Sequence, residues 1–265
     1  MNLGKYASEN IGSIMNEFEK YFSVVLDEPI LFVIYNKLGD FRQSNVGLET
    51  GNIEFNVGGQ IQLVDNKVFI FYDGNHQKFD KTIREVIARL YIRKILYGTA
   101  FTDKLANSAL LNVPAWFEEG LISYVAQPYD IDVFNSVQDM LENKKRINFN
   151  HLTGQDAINI GHSFWYYIAD NYGDDVISNM LYFSKISKSI KNAVYFVLGE
   201  TLKTITISWQ EYYKDKFDIE NTTSPDFANE VYKTKTEKSL SKFSNLVLNG
   251  QKNLLFGRKF PKEKI

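Results

Sequence analysis

Apolar residues at the start of the chain recur at helical spacing and then give way to short apolar runs. Residues 6–26 place apolar side chains three and four positions apart, which predicts an amphipathic helix that ends before Pro29. The run Ile30–Tyr35 predicts a buried strand, and a short helix is expected around residues 38–43. Residues 61–64 and 68–72 flank a polar turn, as in a β-hairpin.

Helical periodicity dominates the rest of the first 217 residues. It predicts helices near 80–97, 102–111, 114–127, 131–142, 162–172, 174–185, 188–199 and 207–217. Strands followed by a succession of helices are typical of an α+β fold rather than of a βαβ parallel sheet.

The composition becomes polar after Phe217, which predicts a boundary between two parts of the chain. The first part, residues 1–217, is expected to be one domain, and residues 218–265 an extension with a polar linker. Two apolar runs around Asn249-Gly250 predict a β-hairpin in that extension.

Composition limits the classes of function. The apolar content of 44% and aromatic content of 15% allow a sizeable core, while the absence of cysteine excludes disulfides and thiolate chemistry. A net charge of −2 provides no global electrostatic attraction to nucleic acid or to an anionic membrane. No apolar run is long enough for a transmembrane helix, and the N-terminus has no secretory apolar region. The expectation is a cytoplasmic protein or a mature exported form.

Two segments carry candidate chemistry. The stretch Val113–Tyr124, with Trp-Phe-Glu-Glu-Gly-Leu at its centre, resembles the glutamate helix of gluzincin-type zinc metallopeptidases. In that family an upstream His-Glu-x-x-His helix supplies two zinc ligands and a general base. The best match here is Arg84–Ala88. The resemblance therefore assigns Glu85 to the general base, Glu119 to the third ligand, and Arg84 and Ala88 to the two histidine positions.

The resemblance extends along residues 6–217. Gly161–Gly173 is similar to a later helix of peptidase-MA-like gluzincins, and Trp209–Tyr213 to their closing helix. The final hairpin resembles the opening of a TolB-like propeller blade. Proteins that join such domains belong to the envelope of Bacteroidetes-like bacteria, so the resemblance implies an extracytoplasmic location.

The substitutions in the motif argue against zinc. A guanidinium cannot ligate a cation and alanine has no donor atom, so too few ligands remain for a tetrahedral site. Arg84 is predicted to lie inside the domain and to pair with Glu119, with Glu85 sharing the contact, while Arg89 and Arg93 are expected to face solvent. Gly120 and Ser123 are expected to let the Glu85 helix approach closely.

Several polar and aromatic residues are candidates for lining a ligand cleft. They are Trp116, Glu118, Tyr124, His162, Trp165 and Tyr166. His162 is also a possible replacement ligand, although a lone histidine is more often structural.

The sequence therefore predicts a catalytically inactive metallopeptidase-like domain that binds a protein or peptide ligand in the former substrate groove and needs no cofactor. The alternative is an active metallopeptidase or hydrolase in which Glu85 serves as base and zinc is held by Glu119 with His162 or Glu118. A third possibility is a purely structural spacer with no ligand.

Overall fold

The computed structural model describes residues 3–27, 29–43, 62–64, 67–98, 113–143, 147–223, 246–248 and 254–256. The chain divides into two compact units, residues 1–218 and residues 219–265. The helix predicted at 102–111 lies outside the described residues.

A small mixed sheet follows the first helix. Its strands are Leu31–Tyr35 (β1), Gln62–Val64 (β2) and Lys67–Phe71 (β3), in the order β1-β3-β2. Strands β2 and β3 are antiparallel, which confirms the predicted hairpin, whereas β1 is parallel to β3, with Leu31 opposite Lys67. The parallel pair was not predicted. Strand β1 lies on the edge of β3 that β2 leaves open.

Strand β3 is apolar on both faces because each face meets a different core. Val68 and Ile70 join the main core, while Phe69 and Phe71 pack with Phe41 in a second, smaller cluster. A strand covered on both sides reads as a continuous apolar run rather than as an alternation.

Helices make up most of the first unit, and the small sheet lies near its start in sequence. The fold is therefore α+β, with the part of the first unit after the sheet mainly helical. The helices are Leu3–Phe22 (α1), Leu38–Gln43 (α2), His76–Tyr97 (α3), Ala115–Ala126 (α4), Ile131–Asn143 (α5), Gly154–Tyr172 (α6), Asp175–Ser187 (α7), Ile190–Leu198 (α8) and Leu202–Thr223 (α9). In the second unit, Leu246–Leu248 (β4) and Leu254–Phe256 (β5) form an antiparallel pair. The helix predicted from 162 begins at Gly154, because its polar first turn hides the apolar period.

Helices α4 and α6 cross in close contact at two glycines. A Cβ on Gly161 would lie 1.8 Å from the carbonyl oxygen of Trp116, and one on Gly120 would lie 2.5 Å from the Cα of Gly161. The close approach that Gly120 permits is therefore made by α6. The prediction that it serves α3 was wrong.

Buried polar atoms around this crossing have partners. The indole N–H of Trp165 donates to the carbonyl of Phe117 at 2.9 Å, and that of Trp209 donates to the hydroxyl of Ser163 at 3.2 Å. The phenol of Tyr213 donates to the carbonyl of Ser163 at 3.1 Å. These bonds hold α4, α6 and α9 in one register, since an unpaired polar group at this depth would be costly.

Across the described ranges, no helix combines the length and the apolar character that crossing a membrane requires.

Candidate functional site

Helix α3 is largely buried but has a row of polar side chains along one side. Asn75 caps its start by accepting a hydrogen bond from the backbone N–H of Lys78 at 3.2 Å. Polar side chains then follow every fourth position, at Lys81, Glu85, Arg89, Arg93 and Tyr97. Residues four apart lie on the same helical face, so these five side chains form one slanted row, here called the polar stripe.

The stripe meets the glutamates at the start of α4. Arg89 donates to Glu119 in a short ion pair, with the two side chains only 17% and 29% exposed. Arg93 donates to Glu118 at 2.7 Å and lies 3.9 Å from Glu119. The phenol of Tyr97 donates to the second oxygen of Glu118 at 2.8 Å. Both glutamates are therefore bound to guanidinium groups.

Glu85 is the member of the stripe that has no direct partner among the described residues. No hydrogen bond or ion pair joins its carboxyl to another residue of the described ranges. Burial raises its pKa above the ordinary glutamate value; the nearby charges of Lys81 and Arg89 oppose that shift, and those of Glu119 and Asp130 add to it. This setting makes Glu85 harder to ionise than an exposed glutamate.

Arg84 lies beside the stripe and faces a different helix. Its guanidinium forms a bidentate pair with Glu17 of α1 at 2.5 and 2.9 Å and lies 5.0 Å from the centre of the Phe18 ring. Its Nε donates to the carbonyl of Ala126 at 2.8 Å. The predicted Arg84–Glu119 pair was wrong. The residue at position 84 points about 100° away from position 85 on the helix, so Arg89 takes the contact with Glu119.

The prediction that Arg89 and Arg93 face solvent was wrong for Arg89, whereas Arg93 is partly exposed. Their side chains are 17% and 42% exposed and both reach the glutamates of α4. Ala88, the second histidine position in the resemblance, is fully buried in the core.

At the N-terminal end of the stripe, the ammonium of Lys81 lies 2.6 Å from the carboxylate of Asp130. Burial opposes ionisation of Asp130, but the bond and charge of Lys81, with backbone N–H groups, hold its pKa below the usual value. This pair adjoins the loop in which Pro128 accepts a hydrogen bond from His162.

His162 is a buried structural residue. Its Nε2 lies 3.1 Å from the carbonyl of Pro128, and its Nδ1 lies 3.0 Å from the hydroxyl of Ser123. Because a carbonyl only accepts, Nε2 carries the proton and the Ser123 hydroxyl donates to Nδ1. Burial lowers the pKa of His162 to about 4, so the ring is neutral at pH 7. Both ring nitrogens are used inside the fold, which leaves neither for a metal or a ligand.

The other residues expected in a cleft are mostly buried too. Trp116 and Trp165 are core side chains with 2% and no exposure, because their rings fill the space between α4, α6 and their neighbours. Tyr124 is 7% exposed and donates to Asp174 at 3.4 Å. Tyr166 keeps partial exposure and lies 4.8 Å from the ammonium of Lys216. These aromatic residues do not form an open cleft.

The residues around Glu119 do not fit the zinc ion that the resemblance implies. Its neighbours are guanidinium groups, which have no lone pair to donate to a cation, and Ala88 offers no donor. In the part of the chain that the structure describes, no group of three or more His, Cys, Asp or Glu side chains is arranged to hold a metal.

Comparison with known proteins identified no relative of this chain. No protein-family model matches the chain, no curated protein matches it, and no solved structure matches it.

Motif alignment missed the stripe, although the sequence contains a signal for it. The spacing of Lys81, Glu85, Arg89 and Arg93 puts four charged residues on one side of a helix that also carries eight buried residues. A row of charges on such a helix requires opposite charges on a neighbouring element. Glu118 and Glu119 of the next described helix meet that requirement.

Proposed function

We propose that the first unit is a gluzincin-like domain that has lost its zinc site and serves as a non-catalytic binding or assembly module of a cell envelope. The contact that carries this proposal is the ion pair of Arg89 with Glu119. The carboxylate that the resemblance assigns to zinc is bound to a guanidinium, which supplies the compensating positive charge. A metal would have to displace that group.

The binding role rests on the exposed edge of the polar stripe. Arg93 keeps 42% of its side chain exposed and Lys81 keeps 31%, and Glu85 lies between them on α3. A row that presents these two cationic side chains in a peptidase-like scaffold suits an extended peptide that carries acidic side chains. The proposed ligand is accordingly a peptide or protein segment.

A working hydrolase is the second candidate, and one observation favours it. Glu85 combines partial burial, a raised pKa and a carboxyl that has no hydrogen bond to the described residues, which are properties of a general base or acid. In this alternative, Glu119 would leave Arg89 and bind a metal.

Zinc content and peptide turnover distinguish the two candidates. The full chain would be incubated with zinc, desalted and analysed for bound metal, together with Glu119→Gln and with Glu9→Gln, a control on the exposed surface of α1. We expect no stoichiometric zinc in any of the three proteins. About one zinc per chain, lost in Glu119→Gln and kept in Glu9→Gln, would contradict the proposal and favour the hydrolase.

A tryptic digest of casein then serves as the peptide probe. We expect mass spectrometry to show no new cleavage, and equilibrium dialysis to show retention of a subset of peptides. Retention should fall in the variant Lys81→Gln with Arg93→Gln, since these side chains form the exposed edge of the stripe. The matched control is Lys20→Gln with Lys67→Gln, which removes the same charge elsewhere. Absence of retention by the unmodified chain would instead support a structural spacer.

A further inference from the structure

The helical hairpin formed by α7 and α8 exposes a compact group of large apolar side chains. Five of the ten large apolar residues that are exposed in the described part of the chain lie on it. They are Tyr182, Phe183, Ile186, Tyr195 and Phe196, with exposed fractions from 36% to 66%. This group is called the aromatic patch.

The members of the patch are contiguous across the two helices. Phe183 of α7 stacks on Phe196 of α8, with ring centres 6.2 Å apart and planes inclined by 25°. Tyr182 contacts Phe183 at 5.9 Å, and Tyr195 contacts Phe196 at 6.2 Å. Ile186 lies one turn beyond Phe183 on the same side of α7. The patch is a single surface and not a set of scattered side chains.

The hairpin also buries a separate set of side chains in the core. Helix α7 buries its opposite side through Ile177, Met180 and Leu181, while α8 buries Ala193 and Val194. Exposed aromatic rings leave water only when something covers them, so a grouped patch of this kind marks an interaction surface.

The charge around the patch indicates what covers it. Between Asp175 and Glu200 the sequence has no acidic residue and three lysines, Lys185, Lys188 and Lys191. Lys185 immediately precedes Ile186, and Lys191 follows one residue after the start of α8. The chain as a whole has a net charge of −2, so this positive charge is local.

We propose that the aromatic patch and its lysines dock the protein on the surface of a membrane that contains anionic lipid. Tyrosine and phenylalanine rings insert at the level of the headgroups, and lysine ammonium groups reach phosphate from an apolar stem. Protein interfaces enrich aromatic residues but are depleted of lysine, so the combination favours lipid over a protein partner. This proposal does not depend on the proposed function of the polar stripe.

Vesicle co-sedimentation of the full chain tests the proposal. Vesicles of phosphatidylcholine with 30% phosphatidylserine, on the order of the charge density that attracts basic segments, would be compared with phosphatidylcholine alone. We expect binding to the anionic vesicles that weakens at high salt. Tyr195→Ser with Phe196→Ser should weaken binding at least about ten-fold. Lys185→Gln with Lys191→Gln should weaken it about five-fold for each lysine removed.

Matched controls keep the result specific to the patch. Tyr129→Ser with Ile131→Ser removes exposed apolar side chains on another surface, and Lys20→Gln with Lys67→Gln removes equal charge elsewhere. Both controls should bind like the unmodified chain, and circular dichroism should show every variant folded.

Three outcomes would overturn the proposal. The first is no binding to anionic vesicles, and the second is equal loss in the patch variants and in their controls. The third is absent vesicle binding together with concentration-dependent self-association in sedimentation velocity. If Tyr195→Ser with Phe196→Ser abolished that self-association, the patch would be assigned to contact with a second copy of the chain.

Discussion

The contact between Arg89 and Glu119 can be measured with a double-mutant cycle. Arg89→Ala, Glu119→Ala and the double variant would be unfolded in urea and followed by circular dichroism. The two side chains are 17% and 29% exposed, so the pair is screened less than a surface ion pair. A hydrogen bond to a charged group contributes about 1.5–3 kcal/mol when buried; allowing for the remaining exposure, we expect a coupling free energy of about 1–2 kcal/mol.

A surface pair supplies the control. Lys37 and Asp40 lie 3.7 Å apart with 72% and 43% of their side chains exposed, and their coupling should be roughly 0.2–0.5 kcal/mol. Arg93 lies 3.9 Å from Glu119 and can take over part of the contact in Arg89→Ala, so the measured coupling is a minimum. A coupling for Arg89 and Glu119 no larger than that of the surface pair would refute the argument that the guanidinium compensates this carboxylate.

Three further predictions concern stability. Gly161→Ala should destabilise the fold by about 1–3 kcal/mol because its Cβ would collide with the backbone of Trp116. Gly12→Ala lies in open space on α1 and should stabilise the fold by about 0.5–1 kcal/mol. Thermal unfolding of both variants checks the difference in sign. His162 is held neutral with a pKa of about 4, so the unfolded chain binds more protons than the folded chain between pH 6.5 and 4. Roughly 3 kcal/mol of stability should therefore be lost as the pH falls through that range. In urea titrations, the stability of His162→Gln should depend less steeply on pH over the same range. Glu85 has a raised pKa, so the folded chain holds the proton more strongly than the unfolded chain, and stability falls as the pH rises above the ordinary glutamate pKa. Glu85→Gln should therefore stabilise the fold at pH 7 and have less effect at pH 4. Melting curves at the two pH values would show this difference.

Each of these predictions has a contrary result. Equal and small effects of the two glycine variants would mean that α4 and α6 can separate without cost. An unchanged acid limb in His162→Gln would place the acid sensitivity in other groups. A loss of stability in Glu85→Gln at pH 7 would mean that the carboxylate has a favourable charged partner.

The apolar pattern was sufficient for most elements of the first unit. The periodicity around residues 80–97 and 114–127 predicted the helices His76–Tyr97 and Ala115–Ala126, because a buried helix must place apolar side chains at intervals of three and four. The hairpin of β2 and β3 followed in the same way. The parallel pairing of β1 with β3 did not, since a local apolar pattern does not specify which strand lies beside which.

Partner choice among charged residues was where sequence reasoning failed. Arg84 and Arg89 are equally able to pair with a glutamate, and the motif alignment favoured Arg84 for Glu119. A difference of a few residues along α3 changes the facing helix, because each residue turns the side chain by about 100°. The structure pairs Arg84 with Glu17 of α1 and Arg89 with Glu119 of α4.

What the sequence alone determined is most of the described helices and strands of the first unit, and the presence, on α3 and α4, of opposite charges that must be compensated. Both follow from short-range rules, namely helical period and the cost of burying a charge. Only the tertiary structure decided that Trp116, Trp165 and His162 are core residues rather than cleft residues, and that Gly120 meets Gly161. Those facts depend on how helices distant along the chain cross, and neither residue type nor spacing specifies that crossing.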